Sequence, residues 1–128
     1  MLKNIFILFF TILFTACSNI SKHTLEDNDK VLLSKQLQEF KTHLKNGNIE
    51  NVRPFFSENL KNDYVLNELE TINFQNIDIF YSSPSFENDT ATNTVALVSN
   101  GEAIYFEITY KFLNSKWIII YIRQKGDK

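Results

Sequence analysis

Few side chains in this 128-residue chain are suited to chemistry. There is one cysteine, Cys17, and there are two histidines, His23 and His43. A metal site needs several ligands at short spacing, and the chain contains no His-x-x-x-His motif, cysteine pair or acidic calcium loop. With only three glycines, it also lacks a phosphate-binding glycine pattern. The sequence therefore predicts no metal, no cofactor and no cysteine-based catalysis.

Cys17 follows a segment of the export type. Lys3 lies in a short positive start, residues 5–14 (IFILFFTILF) form an apolar run, and small residues ending in Ala16 directly precede the cysteine. This pattern resembles the lipobox of bacterial lipoproteins, although Phe14 stands where that motif prefers leucine. The resemblance implies a diacylglycerol on the Cys17 thiol and signal cleavage between Ala16 and Cys17. The apolar run is too short for a spanning helix, which needs about 20 residues.

The lipid anchor sets the expected location. One acyl chain attaches a protein only marginally, whereas a diacylglycerol with a palmitate-type chain on the new amino group holds it stably. Ser18 follows the cysteine where inner-membrane lipoproteins tend to carry aspartate, so the resemblance favours the outer membrane, on the periplasmic side. Residues 1–16 are thus the expected signal peptide and 17–28 the lipidated cysteine and flexible tether. A secreted protein with an incidental cysteine and an uncleaved amino-terminal anchor are the alternatives.

Residues 29–128 are expected to form a single domain. The formal net charge of the chain is −2, which gives no support for nucleic acid as a partner. Once Cys17 is acylated, no thiol remains for a disulfide. Packing alone must then hold the domain together.

The first half of this domain has helical periodicity. Four apolar residues recur at intervals of four, three and four and so share one helix face: Leu33, Leu37, Phe40 and Leu44. We predict a helix at about 30–45, with Asp29 as its amino-terminal cap and Gly47 just beyond its end. Shorter helices are predicted between 49 and 70, where Pro54 acts as a break or first-turn residue.

Near residue 72 the apolar period changes to two, which predicts β-strands. We expect strands over 73–81, 92–99 and 102–112, with Asn100-Gly101 as a hairpin turn. The run 117–122 (WIIIYI) is apolar on both faces. It is interpreted as a central strand that packs on the helices with one face and needs a ligand, a partner or a covering segment on the other.

Helices followed by an antiparallel meander predict an α+β fold, with amino-terminal helices packed on a curved antiparallel sheet of four or more strands. The long first helix, the segment 47–56 (GNIENVRPFF) and the last hairpin, 110–119, resemble the nuclear-transport-factor-2-like superfamily, a cone-shaped roll, over 29–124. A cystatin-like roll, with one helix over four strands, is the alternative. The superfamily includes isomerases, dehydratases, small-molecule binders and structural proteins, so the resemblance implies no single activity.

Enzymes of this superfamily usually place an aspartate or histidine beside a tyrosine inside the cone. His23 falls in the tether and His43 near a helix end, so neither is expected there. The best candidate is Asp78, although its alternation with isoleucines also fits a solvent-facing strand position. Its candidate neighbours are Tyr64, Tyr81, Tyr105 and Glu107. The residues predicted to line a pocket or an interface are Asp78, Tyr81, Tyr105, Trp117 and Tyr121.

Three classes of function remain open. We expect a non-enzymatic envelope lipoprotein that binds a protein partner or helps assemble a complex through its sheet face. The second class is a binder of a small hydrophobic ligand inside the cone, suggested by twelve phenylalanines, among them Phe40, Phe55 and Phe56. The third is an isomerase or dehydratase that uses Asp78. A cone filled by its own side chains would argue against the second class, and a cavity holding Asp78 and a tyrosine would support the third.

Overall fold

The computed structural model describes residues 24–61 and 64–126. The helical part consists of α1 (Asp27–Lys45), α2 (Ile49–Val52), a 3₁₀ turn (Arg53–Phe55), α3 (Glu58–Lys61), α4 (Tyr64–Thr71) and a second 3₁₀ turn (Phe74–Asn76). Five strands follow: β1 (Asp78–Tyr81), β2 (Ser85–Glu87), β3 (Thr90–Ser99), β4 (Glu102–Leu113) and β5 (Lys116–Gln124). Within these residues no helix combines the length and apolar character needed to cross a membrane.

Helix α1 begins earlier than predicted and ends where predicted. Glu26, not Asp29, is its amino-terminal cap, and the Glu26 backbone N–H donates to the Asp29 carboxylate at 2.9 Å. Asp29 therefore lies within the first turn and stabilises the amino-terminal end of the helix from there, because a negative charge is favourable at this end. At the other end Gly47 has a φ of +74°, and the Asn48 N–H donates to the His43 carbonyl at 2.9 Å. This hydrogen bond and the positive φ of Gly47 end the helix where the glycine in the sequence indicated.

The sheet is antiparallel throughout, in the order β1-β3-β4-β5, with β2 pairing to the same side of β3 as β1. Helices precede the curved sheet and pack on its inner face, so the predicted α+β class is confirmed. The Asn100-Gly101 turn joins β3 to β4, and Ser99 pairs with Glu102 across it. Asn100 and Gly101 both have positive φ, as this tight two-residue turn requires.

The predicted strand 73–81 is shorter in the structure. Residues Phe74–Asn76 form a 3₁₀ turn, and the strand begins only at Asp78. The Asn73 side chain accepts a hydrogen bond from the Gln75 N–H at 3.1 Å, which favours a turn over an extended backbone. In addition, Lys45 donates to the carbonyls of Gln75 and Ile77, at 3.1 and 2.7 Å. Strand β2 was not predicted, because three residues carry too little alternation to be recognised.

Strand β5 lies at the edge of the sheet, so its prediction as a central strand is wrong. Its free backbone edge is covered by groups from the helical part. The Gln36 side-chain amide donates to the Trp117 carbonyl at 3.1 Å and accepts from the Trp117 N–H at 2.9 Å. Further along, the Ser57 N–H donates to the Ile119 carbonyl at 2.9 Å. These contacts replace a neighbouring strand and protect an edge that would otherwise be open to association.

A β-bulge interrupts the alternation of side chains along β5. Tyr110 pairs with Ile119 and Thr109 with Tyr121, which leaves Ile120 as the extra residue. The extra residue shifts the alternation, so that Ile119 and Ile122 both face the core. Ile118 pairs with Lys111 and is also buried, at 8 % exposure, although it does not belong to this core. The apolar run therefore combines a change of register with an apolar position on the other face.

Candidate functional site

A cavity of about 480 Å³ lies between the helices and the inner face of the sheet. Binding sites for small molecules usually have volumes of about 300–1,000 Å³ and mostly apolar walls. The helical wall includes Phe40, Leu44, Phe56, Val65, Leu69 and Phe74. The sheet wall includes Ile79, Val95, Leu97, Phe106, Ile108 and Ile122. The cone is therefore not filled by its own side chains.

The same periodicities that build the elements also build these walls. Phe40 and Leu44 are four residues apart, so they lie one above the other on the inner face of α1. On β3, Val95 and Leu97 are two residues apart and both point inward, and the register places Val95 beside Phe106 of β4.

Three aromatic rings pack together beside the cavity. The Phe40 ring lies 5.4 Å from the Phe55 ring and 5.8 Å from the Phe56 ring, measured between centroids. Phe40 and Phe56 line the large cavity. Phe40 and Phe55 also line a separate void of about 10 Å³, roughly the size of one water molecule. The three phenylalanines singled out in the sequence therefore form one group beside the cavity.

Only three of the described cavity-lining residues are polar: Glu68, Tyr81 and Gln124. Glu68 and Gln124 are exposed, so they lie where the cavity meets solvent. The Tyr81 side chain is partly buried and its hydroxyl is shielded from solvent. Burial raises the pKa of Tyr81 well above its ordinary value of 10, so the hydroxyl stays protonated at physiological pH.

The Tyr81 hydroxyl has no hydrogen-bond partner among the described residues, and the same holds for the side-chain nitrogen of Asn93. Asn93 is 4 % exposed and occupies the inward position that precedes Val95 on β3. Its side-chain oxygen accepts a hydrogen bond from the Tyr110 hydroxyl at 2.8 Å. A buried polar group without a partner costs about 1–3 kcal/mol. The inner face of the sheet thus holds two buried polar groups that lack a hydrogen-bond partner among the described residues.

Tyr110 belongs to the same interior region. Burial, supplemented by the neighbouring Tyr81, raises the pKa of Tyr110 above its ordinary value, while its hydrogen bond to Asn93 acts in the opposite direction. The hydroxyls of Tyr81 and Tyr110 therefore stay protonated and uncharged at physiological pH.

Asp78 and Tyr81 do not share a site. They are three residues apart on β1, so they point to opposite faces of the sheet. Tyr81 faces the cavity, whereas Asp78 is exposed and pairs with Val98 on the outer face. Tyr105, at 49 % exposure, also lies on the outer face. The structure thus separates the aspartate from the cavity tyrosine that an isomerase-type site would require.

Trp117 and Tyr121 lie in different environments. Trp117 is 2 % exposed, and its indole N–H donates to the Asp29 carbonyl at 2.7 Å. It belongs to the core, lines only the small void, and offers no surface to a partner. Tyr121 is 53 % exposed and pairs with Thr109 on the outer face. His43 lies in the last turn of α1 and does not line the cavity.

The outer face of the sheet carries an apolar row. Phe80 pairs with Ala96, and Ala96 pairs with Tyr105, so the two aromatic side chains flank the alanine. Phe80 is 58 % exposed and Tyr105 is 49 % exposed. Phe80, Ala96 and Tyr105 are called the outer aromatic row below.

Most of the cavity walls were not predicted as site residues. Val65, Leu69 and Ile72 follow helical spacing, and Val95 with Leu97 follows strand alternation, so each pattern was visible as a core pattern. Periodicity shows which residues face inward, but it cannot show that the facing side chains of helices and sheet leave a space between them. Cys17 and Ala16, the predicted lipid attachment and cleavage residues, lie outside the described residues.

Comparisons with known proteins are sparse. No protein-family model matches the chain, and no curated protein matches it. Among solved structures, it is similar to a Campylobacter jejuni protein that bears the name NTF2-like transpeptidase, with a TM-score of 0.48 and 13 % sequence identity. The match covers 69 % of this chain and 96 % of that chain. A likeness at this level concerns the course of the backbone and carries no information on activity.

Proposed function

We propose that the domain binds a small, largely apolar molecule in the cavity between helices and sheet, and that it does so without catalysis. The observation that carries this proposal is the volume of about 480 Å³, lined mostly by aliphatic and aromatic side chains. Each 100 Å² of apolar ligand surface removed from water would contribute about 2.5 kcal/mol before the entropic costs of binding. A modest apolar ligand would therefore bind measurably.

The charges around the cavity support a binding role. Among the described lining residues the only carboxylate is that of Glu68, which is exposed, and no lysine, arginine or histidine is present. Tyr81 holds its proton because burial raises its pKa. General acid–base catalysis needs a side chain that transfers a proton to or from the reacting group, and the buried titratable side chain of this described wall, Tyr81, keeps its proton.

Cavity binding can be tested with N-phenyl-1-naphthylamine, an uncharged dye whose fluorescence rises in apolar surroundings. We expect saturable binding to the unmodified protein. Leu97→Trp should weaken it at least about tenfold, because the larger side chain occupies the cavity. Val98→Trp is the matched control, because Val98 is the next residue along β3 and points to the outer face. Equal binding by both variants, or no saturable binding at all, would contradict the proposal.

We also propose that the protein is a lipoprotein of the bacterial envelope, attached through Cys17 to the outer membrane on its periplasmic side. The support is the sequence alone, namely the apolar run 5–14 followed by Thr15-Ala16-Cys17. A membrane anchor would hold an apolar-ligand binder close to the phase in which apolar molecules are most concentrated. The two proposals are compatible and are tested separately.

Binding of a protein partner is the second candidate function, and the outer aromatic row favours it. Exposed aromatic side chains that lie together on a sheet face are typical of interaction sites. Photo-crosslinking from position 80 in living cells should trap a defined envelope protein, and crosslinking from position 121, an exposed residue of β5, should not. Equal labelling from both positions would argue against a partner at the row. A hydratase or isomerase turnover that is lost on Asp78→Asn would instead contradict the non-catalytic proposal.

A further inference from the structure

We propose that the cavity selects an uncharged ligand with one oxygen acceptor, a carbonyl or hydroxyl oxygen, which accepts a hydrogen bond from the Tyr81 hydroxyl. The inference rests on the proposed binding function of the cavity and specifies the class of molecule bound. It is motivated by the Tyr81 hydroxyl, a buried donor on a cavity-lining residue that has no partner among the described residues.

Tyr81 is the buried donor that belongs to a cavity-lining residue. It ends β1, pairs with Val95 and lines the cavity. Asn93, the preceding inward residue of β3, does not line the cavity, and its side-chain oxygen accepts from the Tyr110 hydroxyl at 2.8 Å. The Tyr81 hydroxyl is protonated, so it can donate to an oxygen acceptor of a ligand.

The surroundings select against a charged acceptor. No lysine, arginine or histidine lines the described part of the cavity, so a buried carboxylate would lack a counter-ion. Glu68, where the cavity meets solvent, would also repel an anion. A ketone, an ester or an alcohol can accept from the Tyr81 hydroxyl without the cost of burying a charge. Fatty acids and other anionic amphiphiles are therefore excluded as preferred ligands.

Access to the hydroxyl requires a local movement, because the Tyr81 oxygen is shielded from solvent. The backbone beside it is held, since the Ser82 N–H donates to the Thr94 carbonyl at 2.9 Å and the Thr94 N–H donates to the Ser82 hydroxyl at 2.8 Å. The movement is therefore a rotation of the Tyr81 side chain, whose ring already lines the cavity. A ligand oxygen then takes the place of the protein groups around the hydroxyl.

Three probes of equal chain length test the inference by displacement of N-phenyl-1-naphthylamine: n-dodecane, 2-dodecanone and dodecanoate. Tyr81→Phe should weaken binding of 2-dodecanone about tenfold and change that of n-dodecane by less than about twofold, since only the ketone loses a hydrogen bond. Tyr105→Phe removes the same hydroxyl from an exposed outer-face position and should change neither. Dodecanoate should bind the unmodified protein more weakly than 2-dodecanone.

A second measurement does not depend on a variant. The infrared carbonyl band of bound 2-dodecanone should lie at lower frequency than the band of the same ketone in hexane, because hydrogen bonding weakens the C=O bond. An unshifted band, or equal effects of Tyr81→Phe on ketone and alkane, would overturn the inference while leaving the binding function intact. Failure of all three probes to bind would overturn the binding function and the inference together.

Discussion

At the scale of single residues, the interior of this domain is unusual for the polar groups that its apolar walls enclose. Tyr81, Asn93 and Tyr110 all point inward from neighbouring strands, yet only the Tyr110–Asn93 hydrogen bond joins them. Buried polar groups are generally paired, and exceptions tend to mark functional positions. The inward-facing tyrosines therefore indicate the position of a functional site better than the exposed Asp78 does.

The two buried tyrosines predict a loss of stability in alkali. Their folded pKa values are raised above the ordinary value of 10, so above this pH the unfolded chain releases protons that the folded protein retains. The free energy of unfolding should keep its full value below about pH 10 and fall by about 1.4 kcal/mol per pH unit for each tyrosine above it.

Urea unfolding at about pH 9 and about pH 11 measures this slope. Tyr81→Phe should reduce the alkaline loss by the share of one tyrosine, and Tyr121→Phe, at an exposed position, should leave it unchanged. An identical pH dependence in the unmodified protein and in Tyr81→Phe would show that burial does not raise the pKa of Tyr81.

At the scale of elements, α1 and β5 stabilise each other through polar contacts as well as apolar packing. The Gln36 amide pairs with both backbone groups of Trp117, and the Trp117 indole pairs with the Asp29 carbonyl. An edge strand is thereby tied to the helix that covers the sheet. This arrangement closes the β5 edge at Trp117 to the addition of another strand.

We expect Gln36→Ala to lower the free energy of unfolding by about 1–3 kcal/mol, because the Trp117 N–H and carbonyl both lose their partner. Gln38→Ala is the matched control, since it makes the same change at an exposed position of the same helix. Chemical denaturation measures both. Equal stability of the two variants would mean that water replaces the Gln36 amide without loss.

At the scale of the whole molecule, the two faces of the sheet have different surroundings. The inner face forms a wall of the cavity, and the outer face presents the aromatic row to solvent. A sheet that is apolar on one face and mixed on the other is typical of antiparallel structures with one solvated side. Ligand binding and partner binding would therefore use opposite sides of the same strands.

The lipid anchor is also a property of the whole molecule. We expect the mature protein to begin at Cys17 and to partition with membranes, because two or three acyl chains on one residue resist extraction. Cys17→Ala should abolish acylation and leave unprocessed precursor, whereas Ser18→Ala should be processed normally. Mass spectrometry of the purified protein measures both, and an unmodified Cys17 within a longer mature chain would contradict the lipoprotein proposal.

The sequence alone determined the features that depend on neighbouring residues. The spacing of Leu33, Leu37 and Phe40 predicted the inner face of α1, and Gly47 and Asn100-Gly101 predicted the ends and turns, because helix faces and positive-φ turns are local properties. Alternation along β4 likewise predicted a strand, and its alternate residues Ile108, Tyr110 and Phe112 are buried, whereas Ile104 on the same side is 47 % exposed.

Only the tertiary structure decided the features that depend on distant residues. The edge position of β5 results from pairing with β4 and from Gln36, which is 81 residues away from Trp117. The bulge at Ile120 shifts the direction of the side chains along β5, because register is set by both strands of a pair. The cavity is likewise a property of how far apart the packed elements lie. Periodicity specifies the direction in which each side chain points, whereas the space left between facing side chains is fixed by the packing of all the elements together.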